Sequence, residues 1–594
     1  MSVITKEYRK TSQYLLPVQK AKSGNGGYDI YPTHKLHEGT IEAGYASLAA
    51  EMLPHKYIIL DGYQGVFFDR TKQELENQFN TADKNVLWID IRQALKSATE
   101  TDDMIAPFLG GDDPLFGTRT TLQLSNFFDK KKLTNLRKTA NQSIHDITII
   151  YGPGAALSGV DGMLVYIDIP KNEIQYRSRA RSITNLGAEK HLDPKAMYKR
   201  FYFVEWIVLN RHKEKILPRV DIFADGQHAE TITWAKGEHI RQGLHHISKN
   251  VFRVRPWFEP GVWGGSWCLQ NIDGLNRDVP NYAWSFELIV PENGLIFESS
   301  GLLLEVSFDM LMYSEGANVL GDAFERFGTE FPIRFDFLDT FNGGNLSVQV
   351  HPTEEYTLKH FNEKFTQEET YYILDAKEDA VVYLGFQEDI NAENFEQSLR
   401  NSFERNEKLD MAGFVQTLPA KKHDLLLIPP GTIHASGKNN MVLEISSTPY
   451  IFTFKLYDWL RPDLEGKPRP LNISRGMENL DFERKGSYVE KNLVSRPKLI
   501  DHGPDWEVYH LPTHAEHFYD IHRMHLKTRM EVFTQNKAHV MSLVEGSSII
   551  IETQSGQTMR FSYAETFVIP AAAGSYIIIN EGKTEIKIVK AFVK

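Results

Sequence analysis

The texture of the strand-forming runs changes abruptly near residue 250 of this 594-residue chain, and that change limits the folds open to it. Before it, the apolar, β-branched runs KYIILDG (56–62), NVLWIDI (85–91), DITIIYG (146–152) and GMLVYIDIP (162–170) are continuous. Strands read this way when both of their faces are buried, the usual situation in a parallel sheet covered by helices. Between them, GTIEAGYASLAAEML (39–53) and TKQELENQF (71–79) have helical composition. The alternation predicts an α/β doubly wound domain over residues 1–248.

After that point the strands are short and punctuated by Gly, Pro and Asn: LSVQV, TYYILDA, AVVYLGF, DLLLIPPGTIH, MVLEIS and IFTFKLYDW. This spacing predicts an all-β barrel or jelly roll over residues 249–505, interrupted by a helical insert, NAENFEQSLRNSFERNEKL (391–409). A second, shorter β set fills 506–594, and TFVIPAAAGSYIII (566–579) resembles LLLIPPGTIHAS (425–436), so the two modules read as a tandem pair.

Composition excludes several classes of function. No run approaches the roughly 18 apolar residues of a membrane span, and MSVITKEYRK lacks a signal-peptide core, so a cytoplasmic protein without a membrane partner is expected. The net charge of −12 argues against a nucleic-acid partner, which needs a basic face, but leaves room for a small anionic substrate. With Cys268 as the one cysteine, an internal disulfide and any site built from several thiolates are excluded.

A metal in such a chain must take His, carboxylate or amide ligands. In NLSVQVHPTEEY (345–356), Gln349 and His351 stand two apart on a strand and share a face. In IPPGTIHASG, a Pro-Gly turn delivers His434 onto the next strand, and Glu369 opens the intervening strand ETYYILDA. Two imidazoles, one carboxylate and one amide oxygen suit one zinc ion, or a similar first-row divalent ion, with an open position for substrate. In the second module Ile577 stands where His434 stands in the first, so that module lacks the ligand. The scattered histidines His502, His510, His514, His517, His522 and His525 have irregular spacing and read as strand and loop residues.

The stretches FPIRFDFLDTFNGGNLSVQVHPTEEY, EETYYIL, PPGTIHASG and YDWLRPDLEGKPRPLN resemble, in order, signatures of the class I, zinc-dependent mannose-6-phosphate isomerases. FEPGVWGGSW (258–267) and WSFELIVPENGLIFESSG (284–301) are similar to that family's opening, so the resemblance covers about residues 250 to 594. It implies a cupin-type β fold, zinc on Gln349, His351, Glu369 and His434, and interconversion of mannose 6-phosphate and fructose 6-phosphate. It further implies catalytic roles for Glu355, which matches the carboxylate after the QVHP motif, and for Lys455, which stands where the family usually has an arginine. Lys455 offers a point charge without the bidentate fork. Moving a proton between C1 and C2 through a cis-enediolate needs a base and a stabilised oxyanion, and the substrate phosphate needs fixed cations. Lys455, Arg461, Lys467 and Arg469 lie within fifteen residues, and the last three are the phosphate candidates.

In the first half, YIILDGYQGVFFDRTKQEL (57–75) begins like the strand and loop of a P-loop kinase, and LVYIDIPKNEIQYRSRARS (164–182) resembles the strand and arginine-rich helix of nucleoside kinases. Phe67, Phe68 and Asp69 occupy the places of the small and cationic phosphate-loop residues, so a kinase-like domain without a working loop is expected. A non-catalytic sugar-phosphate sensor is the alternative to the isomerase. A cupin oxygenase would want a histidine where Gln349 stands.

Overall fold

Four continuous apolar runs become neighbouring parallel strands, Tyr57–Gly62, Val86–Asp90, Ile147–Tyr151 and Met163–Asp168, joined by a fifth, Ile222–Asp225. Thr233–Lys236 and Ile41–Ala43 extend one edge in antiparallel fashion, completing a seven-stranded sheet. The helix Phe68–Thr81 buries Phe68, Thr71, Leu75 and Phe79, one stripe at helical spacing. The computed structural model describes residues 8–20, 27–111, 113–463, 466 and 469–594. No helix among these is long and apolar enough to cross a membrane.

In a sheet of this type ligands are expected at the carboxyl ends of the parallel strands. Here Asp61, Asp90, Asp168 and Asp225 all lie at those ends. Asp61 accepts from the Gly154 and Ala156 amides at 2.8 and 2.9 Å and bonds His212 Nε2 at 2.8 Å. Asp168 and Asp225 accept from the backbone amides of Ser307 (2.7 Å) and Glu305 (3.0 Å), residues of the strand Leu302–Ser307 that belongs to the other half of the chain. Just beyond, Asp309 pairs with Lys171 at 2.9 Å and Lys213 at 2.5 Å, all of them buried. Burial pushes the Asp309 carboxyl up, and the two ammonium groups more than reverse it, holding it below its ordinary range.

At the expected phosphate-loop position the chain fills its own space. Arg177 donates to the Gly65 carbonyl at 2.7 Å and lies 4.1 Å from the centre of the Phe67 ring, Phe68 is buried at the start of its helix, and Asp69 pairs with Arg92.

Thr33–Lys35, Gly294–Ser299 and Leu302–Ser307 form a separate three-stranded sheet, and the other strands form two sandwiches. In the first, a six-stranded sheet containing Glu369–Ala376, Leu425–Ile428, Asn440–Ser447 and Ile333–Asp339 faces a five-stranded sheet containing Val348–Val350, His434–Ser436 and Phe454–Tyr457. The second combines six-stranded and four-stranded sheets from Lys498–His502 onward. Neither pair of sheets closes into a barrel among the described residues, so the closed-barrel option is not realised. The helical insert is the helix Ala392–Arg405. Thr33–Lys35 pairs in parallel with Gly294–Ser299, so the chain before residue 248 also contributes to a sheet of the later half.

Asp309→Ala would strand two buried ammonium groups at this junction. It is expected to destabilise the protein by about 3–5 kcal/mol in equilibrium urea unfolding, whereas a loss under about 1 kcal/mol would contradict the role of the network.

Candidate metal centre

The strand Val348–Val350 sits between His434–Ser436 and Phe454–Tyr457, and its register places Gln349 opposite both His434 and Lys455. Directly opposed residues share a face, so all three side chains point the same way. Glu369 reaches the same place from the facing sheet. The Pro429–Pro430–Gly431 turn presents His434. Gly431 adopts φ 87°, a conformation that favours glycine, and its amide donates to the His351 carbonyl at 2.9 Å. Arg484, buried, braces this turn by donating to the carbonyls of Pro429 (2.8 Å) and Pro430 (2.6 Å).

His351, Glu369 and His434 converge so that one potential ligand atom of each lies within 4.8 Å of the others, and all three are buried. His434 Nδ1 is 2.9 Å from the Thr432 carbonyl and His351 Nδ1 is 3.2 Å from the Phe452 carbonyl. A carbonyl only accepts, so each Nδ1 carries a proton, and in the neutral imidazole that leaves the Nε2 lone pair for the centre. His351 Nε2 contacts Glu369 Oε2, and His434 Nε2 is 3.2 Å from the same oxygen. Gln349 lies beside the group, but it turns its amide nitrogen, a donor, to within 3.2 Å of His434 Nε2 rather than the amide oxygen expected as a ligand.

Three acceptors facing one another call for a cation. The second Glu369 oxygen, Oε1, is buried without a hydrogen-bond partner among the described residues, and a coordinating ion would supply one. Burial pushes the Glu369 carboxyl up, but the His351 and His434 imidazoles outweigh it and hold it well below the usual carboxylate range. Burial also pushes the His351 imidazole down, toward the neutral form a metal needs. The donor set fits a divalent first-row ion.

The cationic loop beside the centre is organised by Asp458. It accepts from Arg461 at 2.7 Å, pairs with Arg469 at 2.5 Å and takes the Ser347 hydroxyl at 2.9 Å. Lys455 is half-buried, and its ammonium is pushed down to about 8, by burial first and then by repulsion from Arg469. Lys467 lies outside the described residues. Glu355 stands exposed in the first turn of the helix Glu354–Phe361, outside the ligand cluster and without an ion pair to other described residues.

The six histidines of the second sandwich do not group as ligands among the described residues; His510, for example, is held by Asp520 at 2.9 Å. A polar cluster not anticipated from the sequence lies in the same sheet as Glu369: Arg334 pairs with Asp336 at 3.0 Å and contacts Glu444. Its signal was present in IRFDFLD, where charged and aromatic residues alternate, placing Arg334 and Asp336 on one face.

Residues 44–249 match a family model described as "Domain of unknown function (DUF8485)". Mannose-6-phosphate isomerase ManA of Bacillus subtilis is 26% identical over 335 residues, which are 56% of this chain and 94% of that protein. The probable mannose-6-phosphate isomerase GmuF of the same organism is 28% identical over 261 residues, 44% of this chain and 75% of that protein. The crystal structure of the Bacillus subtilis mannose 6-phosphate isomerase superposes on 57% of this chain and 99% of its own, with TM-score 0.46 and 18% identity. The chain is thus homologous to mannose-6-phosphate isomerases over somewhat more than half its length.

The ligand set predicts about one divalent ion per chain. Metal analysis after exhaustive dialysis should find that His351→Ala and His434→Ala lose the ion and that Gln349→Ala holds less of it. Full occupancy in His351→Ala would overturn the assignment.

Proposed function

We propose that this protein is a zinc-dependent aldose–ketose isomerase that interconverts mannose 6-phosphate and fructose 6-phosphate in the cytoplasm. The observation that carries the reading is the buried convergence of His351, Glu369 and His434, with Lys455 one strand away on the same face. Homology to mannose-6-phosphate isomerases supports it.

Gln349, His351, Glu369 and His434 would hold the ion, which when bound supplies Lewis acidity without changing redox state. The chain's own groups then divide the remaining work. Lys455, opposite Gln349 in the strand register, would stabilise the negative charge that develops on the cis-enediolate or bind the phosphate. Arg461 and Arg469, fixed by the shared Asp458 carboxylate, present a rigid cationic rim to the phosphate. Glu355, an exposed carboxylate with no ion pair among the described residues, is the candidate base for the proton transfer between C1 and C2.

Turnover of mannose 6-phosphate by the zinc-loaded protein, followed by coupling the fructose 6-phosphate formed, tests the reading. Activity abolished by His434→Ala supports it. A zinc-loaded protein that binds hexose phosphate without turning it over would instead be a sensor. Lys455→Ala should lower kcat/KM ten-fold to a thousand-fold, roughly 1.4–4 kcal/mol, with metal content and Tm little changed. Lys455→Arg should retain part of the activity, and unchanged turnover in Lys455→Ala would remove Lys455 from the mechanism.

A further inference from the structure

The segment between the strands Asn440–Ser447 and Phe454–Tyr457 carries one of the contacts that orient the metal centre. Residues 448–453 lie in no strand, yet the Phe452 carbonyl within them accepts from His351 Nδ1 at 3.2 Å. No sheet ladder fixes that carbonyl. Its position depends on where the Phe452 ring is held, and the ring is fully buried.

The α/β domain provides much of the packing. Phe116, which falls within the residues 44–249 that match the separate family model, is 3% exposed. Its ring stacks on Phe452 at 6.2 Å between centroids and meets Phe454 edge-on at 5.4 Å and Phe361 at 5.4 Å. Phe361 in turn stacks on Phe452 at 4.6 Å. Phe203, from the same domain, touches Phe452 on another side at 6.3 Å.

The loop bearing Phe116 is pinned at both ends. Asp113 Oδ1 accepts from the Leu115 and Phe116 amides at 2.9 and 2.8 Å, while Asp113 Oδ2 accepts from Arg475 at 2.7 Å. On the far side, the Arg119 amide donates to the Phe361 carbonyl at 2.8 Å, and the Arg119 guanidinium spans Glu363 (2.9 Å) and Glu330 (2.8 Å). A ring held so firmly from outside can set the position of a carbonyl that its own sheet does not.

We propose that Phe116 is a positioning residue for the metal centre: through the Phe452 ring it places the carbonyl that fixes the tautomer and orientation of His351. The docking of the α/β domain is therefore part of the construction of the metal centre. The inference rests on the metal reading of His351, Glu369 and His434. Outer partners of ligating histidines commonly govern metal affinity as strongly as this requires.

The test is zinc affinity of the full chain, measured by competition with a chromogenic chelator, alongside Tm of the metal-free protein. Phe116→Ala should weaken zinc binding roughly ten-fold to a hundred-fold. Phe116→Leu, which keeps most of the volume but loses the flat ring, should weaken it less and covers the case in which the alanine variant does not fold. Phe79→Leu, a fully buried ring in the other core of the same domain, serves as the control: it should lower Tm and leave zinc affinity unchanged. Wild-type affinity in a folded Phe116 variant overturns the proposal, as does an equal loss in the Phe79 control. A wild-type protein that binds no zinc would sink the metal reading itself, and the positioning role with it.

Discussion

The buried carboxylate of Glu369, facing two imidazoles, is the contact on which the isomerase-like half depends. A carboxylate taken fully out of water is costly unless it is paired, and one of its oxygens here has no hydrogen-bond partner among the described residues. The arrangement makes chemical sense as a place where a divalent ion completes the balance. It also links the two sheets of the first sandwich, because Glu369 comes from one and Gln349 and His434 from the other. The backbone carbonyls of Thr432 and Phe452 hold the imidazoles in the ligating tautomer.

The α/β domain shows what becomes of a sheet whose ligand crevice is filled by its own chain. The aspartates Asp168 and Asp225 at the carboxyl ends of its strands are engaged by Ser307 and Glu305, and Lys171 and Lys213 by Asp309. A network this deeply buried holds the two halves in one geometry. The functional interest of the domain then shifts from its own crevice to the face it turns toward the metal centre, where Asp113, Phe116 and Arg119 contact Arg475, Phe452 and Glu363.

Much of this was legible in the amino-acid order because it has a local cause. The parallel strands announce themselves since burial on both faces demands continuous apolar runs. The candidate ligands do so in part: a Pro-Gly turn before a histidine has a simple geometric consequence, whereas the strand carrying Gln349 ends at Val350, so His351 lies one residue past it rather than on the strand as expected. What escaped has no local pattern. Nothing near Phe116 marks it as a neighbour of Phe452, and three residues at Thr33–Lys35 carry no periodicity that foretells pairing with Gly294–Ser299. Arg334 and Asp336 lay within reach, since a charge alternating with aromatic residues in a buried strand already points to a polar cluster.

The proposed function requires one divalent ion between His351, Glu369 and His434, bound through the histidine Nε2 atoms. Anomalous diffraction from zinc-loaded crystals, collected on both sides of the zinc absorption edge, tests it most directly. The account predicts one strong peak per chain at this point, about 2.0–2.1 Å from the Nε2 atoms of His351 and His434 and within bonding range of a Glu369 oxygen. A peak elsewhere in the chain, with these three side chains left unligated, would contradict it.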